Sequence, residues 1–159
     1  MDLTSPFERL LSYDCWANDQ ALASLEAMEA PPEKALFLIA HVLGAQVSWM
    51  DRLTVGRDPA DWESWETMTL PEIRTAWREQ LPARWAEFLA DRVASDRDRV
   101  ASYVNFLGQS YTARVEDALL GLMFHGAYHR GQIASLVREA GGEPAATDFA
   151  RGVRAGAFA

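Results

Sequence analysis

Residues 33–53 constrain the fold more than any other stretch of this chain. Leu36, Phe37, Leu38, Ile39, Val42, Leu43, Val47, Trp49, Met50 and Leu53 point to nearly every side of one helix. A helix that is apolar all round must be covered by several neighbours or lie at a subunit interface. The remaining segments supply such neighbours. Thr4-Ser5-Pro6-Phe7-Glu8 reads as a helix start, with a hydroxyl cap, an early proline and an acid in the first turn. A heptad stripe follows it: Phe7, Leu11, Asp14, Asn18, Ala21, Leu25 and Met28. Thr69-Leu70-Pro71-Glu72 opens a third helix with the stripe Ile73, Trp77, Leu81, Trp85 and Phe88, and Pro82 within it predicts a kink or break. The last helix runs from Val115 to Ala140 and is stopped by Gly141-Gly142-Glu143-Pro144.

Four helices of this kind predict an all-α four-helix bundle. Residues 54–70 have no helical stripe and read as a long crossover between the second and third helices. Trp62 and Trp65 in that crossover are expected to pack down onto a helix end, or alternatively to wall a pocket. Aromatic and β-branched residues on both sides of Gly108-Gln109-Ser110 suggest a short β-hairpin before the last helix. Residues 1–144 are expected to form the bundle and residues 145–159 a loosely packed C-terminal tail.

Composition narrows the function. A formal charge of −8 over 159 residues argues against nucleic acid as a partner, because a phosphate backbone calls for a basic face. No stretch approaches the about 20 apolar residues of a membrane span. The first residues have neither the basic start nor the apolar run of a signal peptide, so a cytoplasmic location is expected. Cys15 is the only cysteine, which leaves no intrachain disulfide and no thiolate cluster. It reads as a small packing residue. Any metal site would use nitrogen and oxygen ligands.

His125 and His129 are two of only three histidines and sit four apart on the core stripe of the last helix. Positions i and i+4 share a helix face, so both imidazoles can reach one point. The third, His41, lies on the apolar second helix with Gly44, Ala45 and Ser48 on its own side, small residues that would leave space in front of it. If those two helices pack together, His41 can supply a third ligand. Three neutral imidazoles suit zinc, nickel, cobalt or iron(II), and leave at least one position open. Spacing removes two familiar alternatives. Peptidases of the HExxH type need a glutamate where this chain has Gly126, and di-iron carboxylate bundles need glutamates where it has Leu122 and Gly126. Asp14 and Asn18 interrupt the apolar stripe of the first helix. They lie at its edge against water, or face a polar pocket as acceptors for the outer ring nitrogens. Gln132 is expected to hydrogen-bond a first-helix residue near the site, Arg130 to serve helix contact through a local ion pair, and Tyr128 to pack.

Tyr13-Asp14-Cys15-Trp16-Ala17-Asn18, His41-Val42-Leu43-Gly44-Ala45 and His125-Gly126-Ala127-Tyr128-His129-Arg130-Gly131-Gln132, followed by Gly142, Pro144 and Thr147-Asp148, together resemble the DinB-like superfamily over nearly the whole chain. Trp49 and Arg52 fall where that superfamily often has an aromatic and a base. The resemblance implies an up-down-down-up bundle, commonly a homodimer, with zinc or nickel held by His41, His125 and His129; iron, cobalt and manganese are further candidates. Gly121 departs from the many relatives with a histidine there, a position not usually a ligand. The activity this suggests is metal-dependent transfer of a low-molecular-weight thiol to an electrophilic small molecule. A hydrolase using metal-bound hydroxide and a non-catalytic, stress-associated metal-binding dimer are the alternatives.

Overall fold

The stripe of the first segment forms α1 (Pro6–Glu26). Phe7, Leu11, Ala21 and Leu25 are buried, and Met28, just past the helix end, is half-buried. The computed structural model describes residues 6–158, so the Thr4-Ser5 cap lies outside the described residues. Helix α2 spans Glu33–Thr54, and its apolar surface is covered on most sides, with Phe37 the large side chain left 40% exposed.

The third predicted helix is a composite. It runs as α3 (Leu70–Thr75), a π-helical turn (Ala76–Gln80) and α4 (Leu81–Ala90). Thr69 caps its start: the Thr69 backbone N–H and hydroxyl both donate to the Glu72 carboxylate, at 2.7 and 2.6 Å. Those two bonds favour the ionised carboxylate and lower the Glu72 pKa. Pro82 has no N–H to donate, and its ring would press on the carbonyl four residues back. The chain answers with a wider turn rather than a break. The Leu81 N–H reaches the Ala76 carbonyl, five residues back, and α4 restarts with the proline in its first turn. Ile73, Trp77, Leu81, Trp85 and Phe88 keep one buried stripe across the insertion. Trp85 also donates its indole N–H to buried Gln46 of α2 at 2.8 Å, which satisfies an amide otherwise costly to bury.

The hairpin forms as expected, with β1 (Val100–Val104) antiparallel to β2 (Ser110–Arg114) and Tyr103 opposite Tyr111. Phe106 lies in the loop between the strands. The Asn105 side chain accepts from the Leu107 and Gln109 N–H groups there, and Gly108 takes the left-handed conformation, φ 74°. Asp58 ties the crossover to this hairpin. It is buried, pairs with Arg52 at 2.6 and 3.0 Å, and accepts from the Phe106 N–H. The Arg52 guanidinium lies over the Trp49 and Tyr103 rings, so this base of α2 is consumed structurally.

Helix α5 spans Val115–Glu139 and ends in a Schellman-type cap. Gly141, at φ 80°, donates to the Arg138 carbonyl and Gly142 to that of Val137. Ala140, at the predicted end of this helix, is exposed. Residues 149–154 of the C-terminal segment form a short helix. Asp148 caps α6 (Phe149–Arg154) by accepting from the Arg151 N–H, and Phe149 and Phe158 pack edge-on against Tyr13 at 5.1 and 5.6 Å. Two large aromatics in an otherwise small-residue stretch suffice because Gly152 lets Phe158 and Trp16 approach its backbone closely.

The described residues are thus mostly helical with one two-stranded sheet. Two compact units divide the chain, residues 1–39 with 123–159, and residues 40–122. The boundary falls inside α2 and inside α5, so each of these helices continues from one unit into the other. Among the described residues, no helix is long and apolar enough to cross a membrane.

Candidate metal centre

His125 and His129 lie one turn apart on α5, both half-buried, with ring centroids 4.5 Å apart. Their Nε2 atoms are 3.0 Å from each other. The orientation of His129 is set by its own helix. Gln132, three residues on, places its amide oxygen 2.7 Å from His129 Nδ1. An amide oxygen can only accept, so Nδ1 carries the ring proton and Nε2 keeps its lone pair. That is the tautomer a metal ligand requires, held by an outer hydrogen bond of the usual kind. Tyr128 sets its ring edge-on to His129 at 5.2 Å. It is 66% exposed, so the packing role expected of it is limited to this contact.

His41, which is exposed, completes the group. His41, His125 and His129 each offer one ring nitrogen, and these atoms all lie within 4.8 Å of one another. Ligand atoms on one tetrahedral ion, each about 2.0–2.1 Å from it, stand about 3.3 Å apart. The pair on α5 is already near that spacing. The donor set fits a borderline divalent ion: three neutral imidazoles with no thiolate.

The space expected beside His41 is partly filled. A Cβ on Gly44 would collide with the ring of Trp65, so this glycine admits the indole rather than a ligand. Trp65 also lines a cavity of about 810 Å³ with Leu43, Val47, Met68 and Arg84. Trp65 thus packs against the middle of α2 rather than a helix end, and it walls a cavity within the second unit. The side chain of Trp62 lies outside the described residues.

Asp14 and Asn18 are each fully buried, so the solvent-edge reading does not apply. Their shared partner is Arg130. Its guanidinium donates to Asp14 at 2.7 Å and to the Asn18 amide oxygen at 2.6 Å, while Asn18 in turn donates to Asp14 at 2.9 Å. Arg130 also stands over the Tyr13 ring, and Tyr13 donates its hydroxyl to the Thr147 carbonyl at 2.9 Å. This is the local ion pair expected of Arg130, but fully desolvated and joined to both first-helix polar residues. Gln132, expected to reach the first helix, bonds His129 instead. Gly126 makes the cluster possible, because a Cβ there would lie 3.0 Å from both the Arg130 guanidinium and the Asp14 carboxylate. Gly126, directly after His125, is the signal in the sequence that could have marked this close approach.

Cys15 is unsuited to nucleophilic chemistry at neutral pH. Burial, together with the adjacent Asp14 charge, pushes its thiol up to about 12, so it stays protonated and inert.

Comparison with protein families decides the relationship. The DinB family model matches residues 8–155, which takes in α1, both histidine segments and α6. The chain belongs to the DinB family. No curated protein matches it significantly. For this DinB-family protein, the first-helix, second-helix and α5 motifs correspond to the buried Asp14–Asn18–Arg130 cluster and the three-histidine group. The match runs past residue 144 and includes the α6 segment.

Proposed function

We propose that this DinB-family protein is a divalent-metal-dependent enzyme that transfers a low-molecular-weight thiol to an electrophilic small molecule. The observation that carries the reading is the convergence of three imidazole nitrogens within 4.8 Å of one another. Because all three ligands are neutral, zinc or nickel bound there would keep its full positive charge and lower the pKa of a thiol brought to it. The protein's own part is preparation. Gln132 holds the His129 proton on Nδ1, and the Arg130 cluster fastens α5 to α1 at the level of the histidines. His41 is exposed and His125 and His129 half-buried, so a small substrate can reach the group from solvent. The reading also includes what the family resemblance implies: an up-down-down-up four-helix bundle, homodimeric, acting in the cytoplasm.

The test is turnover by metal-loaded protein with bacillithiol, mycothiol and glutathione against a panel of electrophiles. Thioether product that disappears in His125→Ala supports the assignment. No product with any thiol, or oxygen-18 from solvent incorporated into a hydrolysis product, would sink it.

A further inference from the structure

The cavity walled by Trp65 lies wholly within the second unit. Its volume of about 810 Å³ falls in the range of about 300–1,000 Å³ usual for small-molecule sites. Three pieces of chain line it: α2, the crossover, and the composite helix from α3 through the π-helical turn to α4. Leu43, Val47, Trp65, Met68 and Leu81 give it apolar walls, and the indole and thioether are polarisable surfaces that suit a ligand. The π-turn contributes both its ends, Ala76 and Gln80, and insertions of this kind recur at functional sites.

The charges around these walls do not balance. Asp51, Asp61 and Glu72 line the cavity against a single base, Arg84, a net of −2. Arg84 is paired with Asp51, so its charge is offset within the wall and the other two carboxylates are left over. Asp61 stands at the N-cap of a 3-10 turn (Trp62–Thr67), yet its side chain makes no capping bond. It is exposed, and among the described residues no ion pair involves it. Glu72 is held ionised by its two bonds from Thr69, both to Oε2, which leaves Oε1 to accept from a ligand.

From this combination of apolar walls and unbalanced carboxylates we propose that the cavity is a binding site for a small organic amine, its apolar or aromatic body against Trp65 and Met68 and its ammonium at Asp61 and Glu72. An ammonium brings three donors to carboxylates that only accept, and an indole favours a cation over a neutral group. A carboxylate ligand would meet two like charges, with the one base already paired. A neutral ligand would gain from the walls alone. None of the three imidazoles lines this cavity, so the assignment stands apart from the metal–thiol reading.

Calorimetric titration of the full-length chain tests this with four probes: 2-phenylethylamine, the isosteric 2-phenylethanol, 3-phenylpropionate, and methylammonium, which has the charge without the body. Salt at about 0.15 M screens the general attraction of cations to a chain of net charge −8. The amine should bind one per chain, at least about fivefold more tightly than the alcohol or the carboxylate and about tenfold more tightly than methylammonium. Asp61→Asn and Glu72→Gln should each weaken the amine about threefold, the scale of one exposed ion pair. Asp61 makes no capping bond, so its variant should fold normally and decides the matter even if Glu72→Gln loosens the helix start. His125→Ala should bind the amine as the wild type does. Equal binding of amine and alcohol, equal binding of methylammonium, or unchanged amine affinity in Asp61→Asn overturns the proposal. So does loss of amine binding in His125→Ala, which would put the amine on a metal at the histidines instead.

Discussion

Arg130 and Asp14, 116 positions apart in the chain, form an ion pair 2.7 Å long in which both side chains are almost wholly withdrawn from water. Neither is a candidate ligand, yet Arg130 adjoins one in the chain. Arg130 follows His129 directly, and the pair fastens the helix that carries two of the three imidazoles.

Removing one member of that pair leaves a buried charge uncompensated. Asp14→Ala should therefore lower stability by about 3–5 kcal/mol, read from urea unfolding midpoints at constant m. A loss below about 1 kcal/mol would mean that the pair is solvated in solution.

Gly126→Ala adds one methyl against the Arg130 guanidinium and the Asp14 carboxylate, each 3.0 Å away. The expected cost is about 1–3 kcal/mol from overpacking. On an exposed helix site the same change should stabilise by about 1 kcal/mol, so the sign of the effect is diagnostic.

His125→Ala should abolish stoichiometric metal binding, measured by elemental analysis of the purified protein. One equivalent retained by the variant contradicts the proposed centre.

Gln132→Leu tests the outer hydrogen bond to His129. Loss of an outer-shell partner typically weakens metal affinity by 10- to 100-fold, about 1.4–2.7 kcal/mol, and competition with a chromogenic chelator will read it. Affinity equal to wild type would show that His129 needs no help with its tautomer.

The Cys15 thiol predicts a pH dependence. Its pKa is raised on folding from 9.0 to about 12, so the native state holds the proton more tightly than the unfolded chain. The associated stability is complete below about pH 9 and is lost as pH rises towards 12, at about 1.4 kcal/mol per pH unit. Cys15→Ala should flatten the alkaline stability profile over that window. An identical slope in the variant would refute the assignment.

Much of this was legible beforehand because it depends on local chemistry. Helical periods, the helix start at Thr69-Leu70-Pro71-Glu72, the Gly141 stop and the turn between β1 and β2 involve groups a few residues apart, and sequence spacing measures those distances directly. The i, i+4 relation of His125 and His129 is of the same kind. Pro82 shows where this reasoning thins. The missing N–H predicts a disturbance, but whether the helix breaks or widens into a π-turn is settled by the buried stripe from Ile73 to Phe88 that must stay in line.

By itself, then, the sequence determined the four main helical segments, the hairpin and the paired histidines, and its motifs identified the family. Only the tertiary structure decided what each polar side chain meets. It put Asp14 and Asn18 on Arg130, turned Gln132 to His129, filled the gap at Gly44 with Trp65, and folded residues 149–158 back against Tyr13. Partners of this kind are chosen by three-dimensional proximity and by the cost of leaving a buried donor or acceptor unsatisfied. Helical spacing says which face a side chain is on, but not which group across that face will satisfy it.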